Sequence, residues 1–381
     1  MLRRALPFVA LSTVWLHGVL LAQAPAPAAS AAAPGQLKLD TGKEIFQAAC
    51  IGCHGPGGVG QPQTTLGFEP PSTFPDFSDC NGSTREKTTD WRATIHEGGP
   101  QGRGFSVIMP SFSEALTLDQ IDKVIGYLRE QCTEGQWPLG ELNMPRALFT
   151  EKAFPEDEWV VGGTVDTSGD GAFSNEVIYE KRLGARSQLE LAAPVAFLNN
   201  TGGWTGGVGD FVLGYKQVVA HSRRSGSILA LQGELIAPTG NRDKDLGSGV
   251  TIFEAFAAFD QLLSRSSFVQ FQAGAELPVD TAKAPKAVYW RAALGKTLAQ
   301  NRGFGRSWTP MAEILADRDL ETGAKTNWDL VPQMQITLNR RQHVRVNVGI
   351  RAPLNNTAGR STQVVFYALW DFFDGGLREG W

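Results

Sequence analysis

From Glu158 to Phe373 apolar and polar residues alternate in long runs. In His343-Val344-Arg345-Val346-Asn347-Val348-Gly349-Ile350-Arg351 the even positions are all apolar and the odd ones polar or Gly. Gln270-Phe271-Gln272-Ala273-Gly274-Ala275-Glu276-Leu277 and Gln333-Met334-Gln335-Ile336-Thr337-Leu338-Asn339 repeat the pattern. A period of two is that of a strand with one apolar and one polar face. Twelve such segments lie near 158–167, 173–182, 186–198, 207–220, 226–237, 249–262, 266–278, 286–298, 307–318, 327–338, 342–352 and 361–373. Turn-forming stretches separate them, among them Asp166-Thr167-Ser168-Gly169-Asp170-Gly171 and Asn355-Asn356-Thr357-Ala358-Gly359.

Residues 38–135 follow a helical period instead. Asp40 and Thr41 can cap a helix running through Ile45-Phe46 into Cys50. Thr117 and Gln120 are spaced as a capping box, and the helix that follows aligns Ile121, Val124, Ile125 and Leu128 on one face. Gly, Pro and Ser dominate between these helices, which predicts long loops. Residues 136–157 form a Pro-punctuated connector and residues 25–37 an Ala/Pro-rich leader. Residues 1–24 have the form of a secretory signal. Arg3 and Arg4 precede the apolar Leu6–Leu21 stretch, and Ala22-Gln23-Ala24 offers a cleavage site. Pro25 disfavours that cut, so Ala31 or Ala33 is the alternative; an uncleaved anchor is the other reading, weakened by His17. The expected architecture is therefore multidomain: an all-α domain over 38–135 and an all-β antiparallel barrel of about twelve strands over 158–381.

Candidate chemistry sits in the helical part. Cys50-Ile51-Gly52-Cys53-His54 is a C-x-x-C-H motif. Two thiols one helical turn apart can each form a thioether to one porphyrin, and the next residue then presents its imidazole to the iron. A redox dithiol needs no following His, and a zinc site needs a second closely spaced ligand pair. Cys80 and Cys132 are too far apart in sequence for that. In an exported chain they are expected to form a disulfide.

The surroundings resemble class I c-type cytochromes. Gly42-Lys43-Glu44-Ile45-Phe46 resembles that family's N-terminal helix, Ile108-Met109-Pro110-Ser111-Phe112 its distal Met-Pro segment, and Leu118–Arg129 its closing helix. The resemblance covers roughly residues 38–135. It implies one covalent haem c, held by Cys50 and Cys53, with His54 and Met109 as axial iron ligands. His/Met ligation raises the potential. Rivals for the sixth position are His96, in a polar Gly-rich loop, and Met144, in a second Met-Pro pair; Met311 and Met334 fall in strand patterns and suit packing. Phe46, Phe105, Phe112 and Tyr127 are expected to wall the haem.

The length of the alternating segments suits transmembrane strands of about 9–11 residues better than soluble ones of about five or six. Trp159, Trp204, Trp290, Trp308, Trp328 and Trp370 would then form aromatic girdles, and Gln270, Gln272, Glu276, Arg291, Gln333, Gln335, Arg345 and Arg351 would line a polar lumen. A large soluble β-sandwich is the alternative. Trp381 is a terminal aromatic, but Asp374–Gly380 separates it from the last segment. The arrangement resembles cytochrome–porin fusions in architecture alone. Net charge of −4 and pI ≈ 5.8 leave no basic footprint for nucleic acid.

The expected function is thus electron transfer and not catalysis, with the haem domain in the periplasm and the barrel in outer membrane lipid. The expected partners are periplasmic redox proteins or an extracellular electron donor or acceptor. A solute porin with an accessory haem domain, and a soluble periplasmic cytochrome with a β partner-binding module, are the rivals.

Overall fold

The computed structural model describes residues 39–60, 74–99, 109–167, 171–200, 203–299 and 306–381. The signal, the leader and Phe105 lie outside them.

Among the described residues, five α-helices make up the first part: α1 (Gly42–Ala49), α2 (Ile51–His54), α3 (Cys80–Ser83), α4 (Thr88–Glu97) and α5 (Leu118–Arg129). Capping boxes start α1 and α5. The hydroxyls of Thr41 and Thr117 accept from the N–H of Glu44 and Gln120, and each of those side chains accepts from the cap N–H in return. Ile45 and Phe46 of α1 pack with Ile121, Val124, Ile125 and Leu128 of α5 in a core with little access to water. Each such side chain contributes about 1.5–3 kcal/mol on burial. The helices cross so closely that a Cβ on Gly42 would lie 1.9 Å from the Lys123 carbonyl oxygen. A disulfide joins Cys80 at the start of α3 to Cys132 beyond α5.

Fourteen strands follow among the described residues: β1 (Glu158–Asp166), β2 (Ala172–Leu183), β3 (Ser187–Asn200), β4 (Gly203–Val208), β5 (Phe211–Ser222), β6 (Ser227–Ala237), β7 (Ile252–Leu262), β8 (Ser267–Pro278), β9 (Ala287–Lys296), β10 (Leu298–Ala299), β11 (Ser307–Asp319), β12 (Asn327–Thr337), β13 (Val344–Pro353) and β14 (Gln363–Asp371). All pairings are antiparallel. β14 pairs with β1 and β11 with β9, so the ring closes on twelve staves. β4 and β5 share one stave against β3, as β9 and β10 share one against β11. The alternating segment at 207–220 is therefore interrupted where the sequence pattern predicted continuity. Asp210 leaves the ladder to accept N–H bonds from Gly240 (2.9 Å) and Ser248 (2.7 Å), pinning the long 238–251 loop.

The faces are inverted relative to a soluble protein. Leu191, Leu213, Leu231, Phe253, Leu294 and Ile350 point outward and are exposed, while Glu180, Gln188, Lys216, Asp260, Gln270, Gln272 and Glu313 are buried inside. Trp159, Tyr179, Trp370 and Phe372 cluster at the end where β1 begins, with Trp159 4.6 Å from Tyr179. Trp290 and Trp328 meet at 5.0 Å near the other end. Apolar exteriors flanked by aromatic girdles are those of barrels that cross membranes.

The connector does not run outside this ring. Residues 143–157 enter the lumen from the β1 end and return to it. Irregular backbone removed from water must find partners, and the inward side chains supply them. Glu313 accepts the N–H groups of Leu148 (2.9 Å), Phe149 (3.1 Å) and Thr150 (2.7 Å). Asp260 accepts from Ala153 N at 2.9 Å and Gln188 from Glu156 N at 2.7 Å. Tyr367 and Gln335 donate to the Arg146 carbonyl, and Arg291 donates to that of Phe149. Met144 is buried here against Ala147, Phe268, Ala293 and Met311, whereas Met334 faces outward. Glu151, Glu180 and Glu190 bring carboxylate oxygens within 4.8 Å of one another. Arg146, 3.0 Å from Glu180, and Lys216, 3.7 Å from Glu151, serve them as counter-ions.

The helical part sits on the mouth where β1 starts. Arg85 pairs with Asp157 and stacks over Phe373 at 4.1 Å, and Gly140 N donates to the Thr84 carbonyl at 2.6 Å.

Candidate haem site

The turn from α1 into α2 places the three motif residues on one wall. Cys50 N donates to Phe46 O at 2.9 Å and His54 N to Cys50 O at 3.0 Å, so the chain stays helical through the motif. Gly55, at φ +72°, then turns it away. Cys50, Cys53 and His54 line a cleft of about 420 Å³, within the range of about 300–1,000 Å³ usual for small-molecule sites.

Met109 also lines the cleft, on a segment held by three bonds to α4 and the turn that follows it. Gly99 N donates to Met109 O (3.1 Å), Ser111 Oγ to His96 O (2.6 Å) and Phe112 N to Ile95 O (3.0 Å). Gly98 makes this approach feasible. It has φ +82°, and a Cβ there would lie 2.9 Å from the Met109 carbonyl oxygen.

The remaining walls are mostly apolar. Phe46 and Phe112 line the cleft, while Tyr127 stands behind Phe46 with ring centroids 5.4 Å apart and does not line it. Phe74, Phe77 and Trp91, which the sequence reading did not single out, do line it. Phe77 lies 5.5 Å from His54 and 5.1 Å from Trp91. Phe74 and Phe77 occupy a stretch without periodicity, and Trp91 sits on a helix rich in Thr, so the only available signal was the aromatic residues themselves.

Of the rival ligands, neither lines the cleft. His96 closes the last turn of α4, not a loop, and its Nδ1 is 2.8 Å from Glu97. Met144 is enclosed in the barrel.

Burial, with Cys53 beside it, pushes the Cys50 thiol up to about 11. Burial lowers the His54 imidazole and so favours its neutral, ligating form. His54 Nδ1 is buried with no hydrogen-bond partner among the described residues. Two unpaired thiols, a neutral imidazole and a thioether around one apolar cleft fit a haem attached at Cys50 and Cys53, with His54 and Met109 as iron donors.

The family model for cytochrome c matches residues 39–131. No curated protein matches the sequence. Among solved structures, an outer membrane channel from Pseudomonas putida is 17% identical, with a TM-score of 0.41 over 60% of this chain and 98% of its own. The KdgM porin is 6% identical, with a TM-score of 0.37 over 56% of this chain and 99% of its own. CdiB from Escherichia coli is 11% identical, with a TM-score of 0.32 over 73% of each chain. The barrel described above stands on its own strand pairing, independent of these likenesses. The chain therefore carries a cytochrome c domain, matched over residues 39–131, followed by a closed antiparallel barrel of twelve staves.

Proposed function

We propose that this protein is a one-electron carrier with one covalent haem, fixed at the outer membrane by its barrel. The observation that carries the reading is the convergence of Cys50, Cys53, His54 and Met109 on one apolar cleft, in a domain seated on the mouth of the barrel. When bound, the haem supplies a one-electron iron couple. Cys50 and Cys53 would anchor it, His54 and Met109 would ligate the iron, and Phe46, Phe77, Trp91 and Leu128 would exclude water from its faces. A lowered local dielectric tunes the potential of such a group.

The outward apolar face and the aromatic girdles support insertion in lipid. Short connections at 184–186, 223–226 and 263–266 share the haem-domain end, whereas the 238–251 and 354–362 loops lie at the other. Bacterial barrels keep short turns on the periplasmic side, which supports a periplasmic haem domain within reach of soluble redox partners. The solute-porin reading has less support, because the lumen holds the chain's own connector.

Cell fractionation followed by haem staining tests this. The haem-stained band is expected with the outer membrane, and its migration on gels is expected to change on heating. Release in soluble form by osmotic shock overturns the anchor, and free thiols at Cys50 and Cys53 in the exported protein overturn the haem.

A further inference from the structure

Arg129, at the end of α5, is buried and does not itself line the cleft. Its guanidinium donates to the carbonyls of Ser83 and Glu86. It also lies 4.2 Å above the ring of Trp91, which lines the cleft. Trp91 packs on Phe77 at 5.1 Å, and Phe77 on His54 at 5.5 Å. A fixed cation therefore stands one aromatic layer behind the cleft wall.

Its nearest carboxylate partner on the connector comes from outside the helical domain. Glu141, on the approach to the barrel, lies 3.9 Å from Arg129 and accepts the backbone N–H of Thr88 at 3.1 Å and that residue's hydroxyl. Glu86 and Asp90 line the cleft nearby. The charge that Arg129 presents to the cleft is thus set partly by a residue that the connector delivers.

We propose that Arg129 and Glu141 form a charge pair that sets the haem potential, the cation raising it and the carboxylate lowering it, so that seating on the barrel tunes the cytochrome. Reduction adds one electron to the iron, and a nearby positive charge favours the reduced state while a negative one opposes it. Arg129 acts across Trp91, and Glu141 acts through Arg129, as positioning and electrostatic residues. The proposal rests on the haem reading above.

Spectroelectrochemical titration of the full-length protein in detergent tests it. Arg129→Met is expected to lower the midpoint potential and Glu141→Gln to raise it. Each shift should correspond to a roughly three- to tenfold change in the oxidised-to-reduced ratio, tenfold being 59 mV for one electron. Arg129→Lys, which keeps the charge, is expected to restore most of the potential. Opposite signs exclude a merely structural effect, since loosening the domain moves both variants the same way. Shifts of the same sign, or none in either variant, overturn the proposal. Failure of the wild-type chain to carry haem overturns the reading beneath it instead.

Discussion

Met109 and His54 are 55 positions apart in the chain and meet across one cleft, because α4 and the Gly98–Gly99 turn hold the Met-Pro segment in place. Met109→Ala should leave the haem covalently attached, remove the methionine-to-ferric-iron charge-transfer band and lower the potential. An unchanged band and potential in that variant would exclude Met109 as the ligand. Gly42 and Gly126 give a paired test at the same scale. A Cβ at Gly42 collides with α5, while one at Gly126 meets nothing within 4 Å. Gly42→Ala should cost about 1–3 kcal/mol through forced separation of the helices. Gly126→Ala should be neutral, or stabilise by up to about 1 kcal/mol. Thermal unfolding of the two variants checks the contrast, and equal melting temperatures would remove the packing argument.

Among elements, the Thr41 cap of α1 and the capping box of α5 were legible because they are local: a hydroxyl at the helix start and, for α5, an amide three positions on. α4 was not, because its Thr-rich first turn and Gly-flanked end read as loop. The Cys80–Cys132 bridge ties α3 to the end of α5 across a separation of 52 residues. Its loss should cost about 3–5 kcal/mol, largely through the unfolded state. Peptide mass spectrometry without reduction should recover the two cysteines linked, and free thiols at both positions would contradict the bridge. Among strands, the pattern placed the twelve staves but not the break at Gly209–Asp210, since the bonds that Asp210 makes are to a loop far along the chain.

Across the whole molecule the connector is the joint between the two parts. It leaves α5, lends Glu141 to the helical domain, fills the lumen, and becomes β1. Residues 143–157 should therefore resist protease in the folded protein. Cleavage there should appear only after heating opens the barrel, with fragments mapped by mass spectrometry. Rapid cutting within 143–157 at temperatures where the barrel is intact would show that the lumen does not hold them.

The motif at Cys50–His54, the helix faces and the period-two strands could be read from the chain alone, since each depends on residues a few positions apart. The inward set was also foreseeable in part: Gln270, Gln272, Gln333 and Gln335 are inside, and Arg291 and Arg351 reach Phe149 O and Asp329. What those groups bind was not. A Pro-punctuated segment of mixed polarity looks like a linker, and its backbone can be satisfied equally well by water. Only closure of the ring removes that water and surrounds the segment with Glu313, Asp260, Gln188 and Tyr367, drawn from four separate strands. The aromatic wall of the cleft and the Arg129–Glu141 pair have the same origin. Their partners are distant in sequence, so the contacts exist only once the helices and the barrel have been brought together.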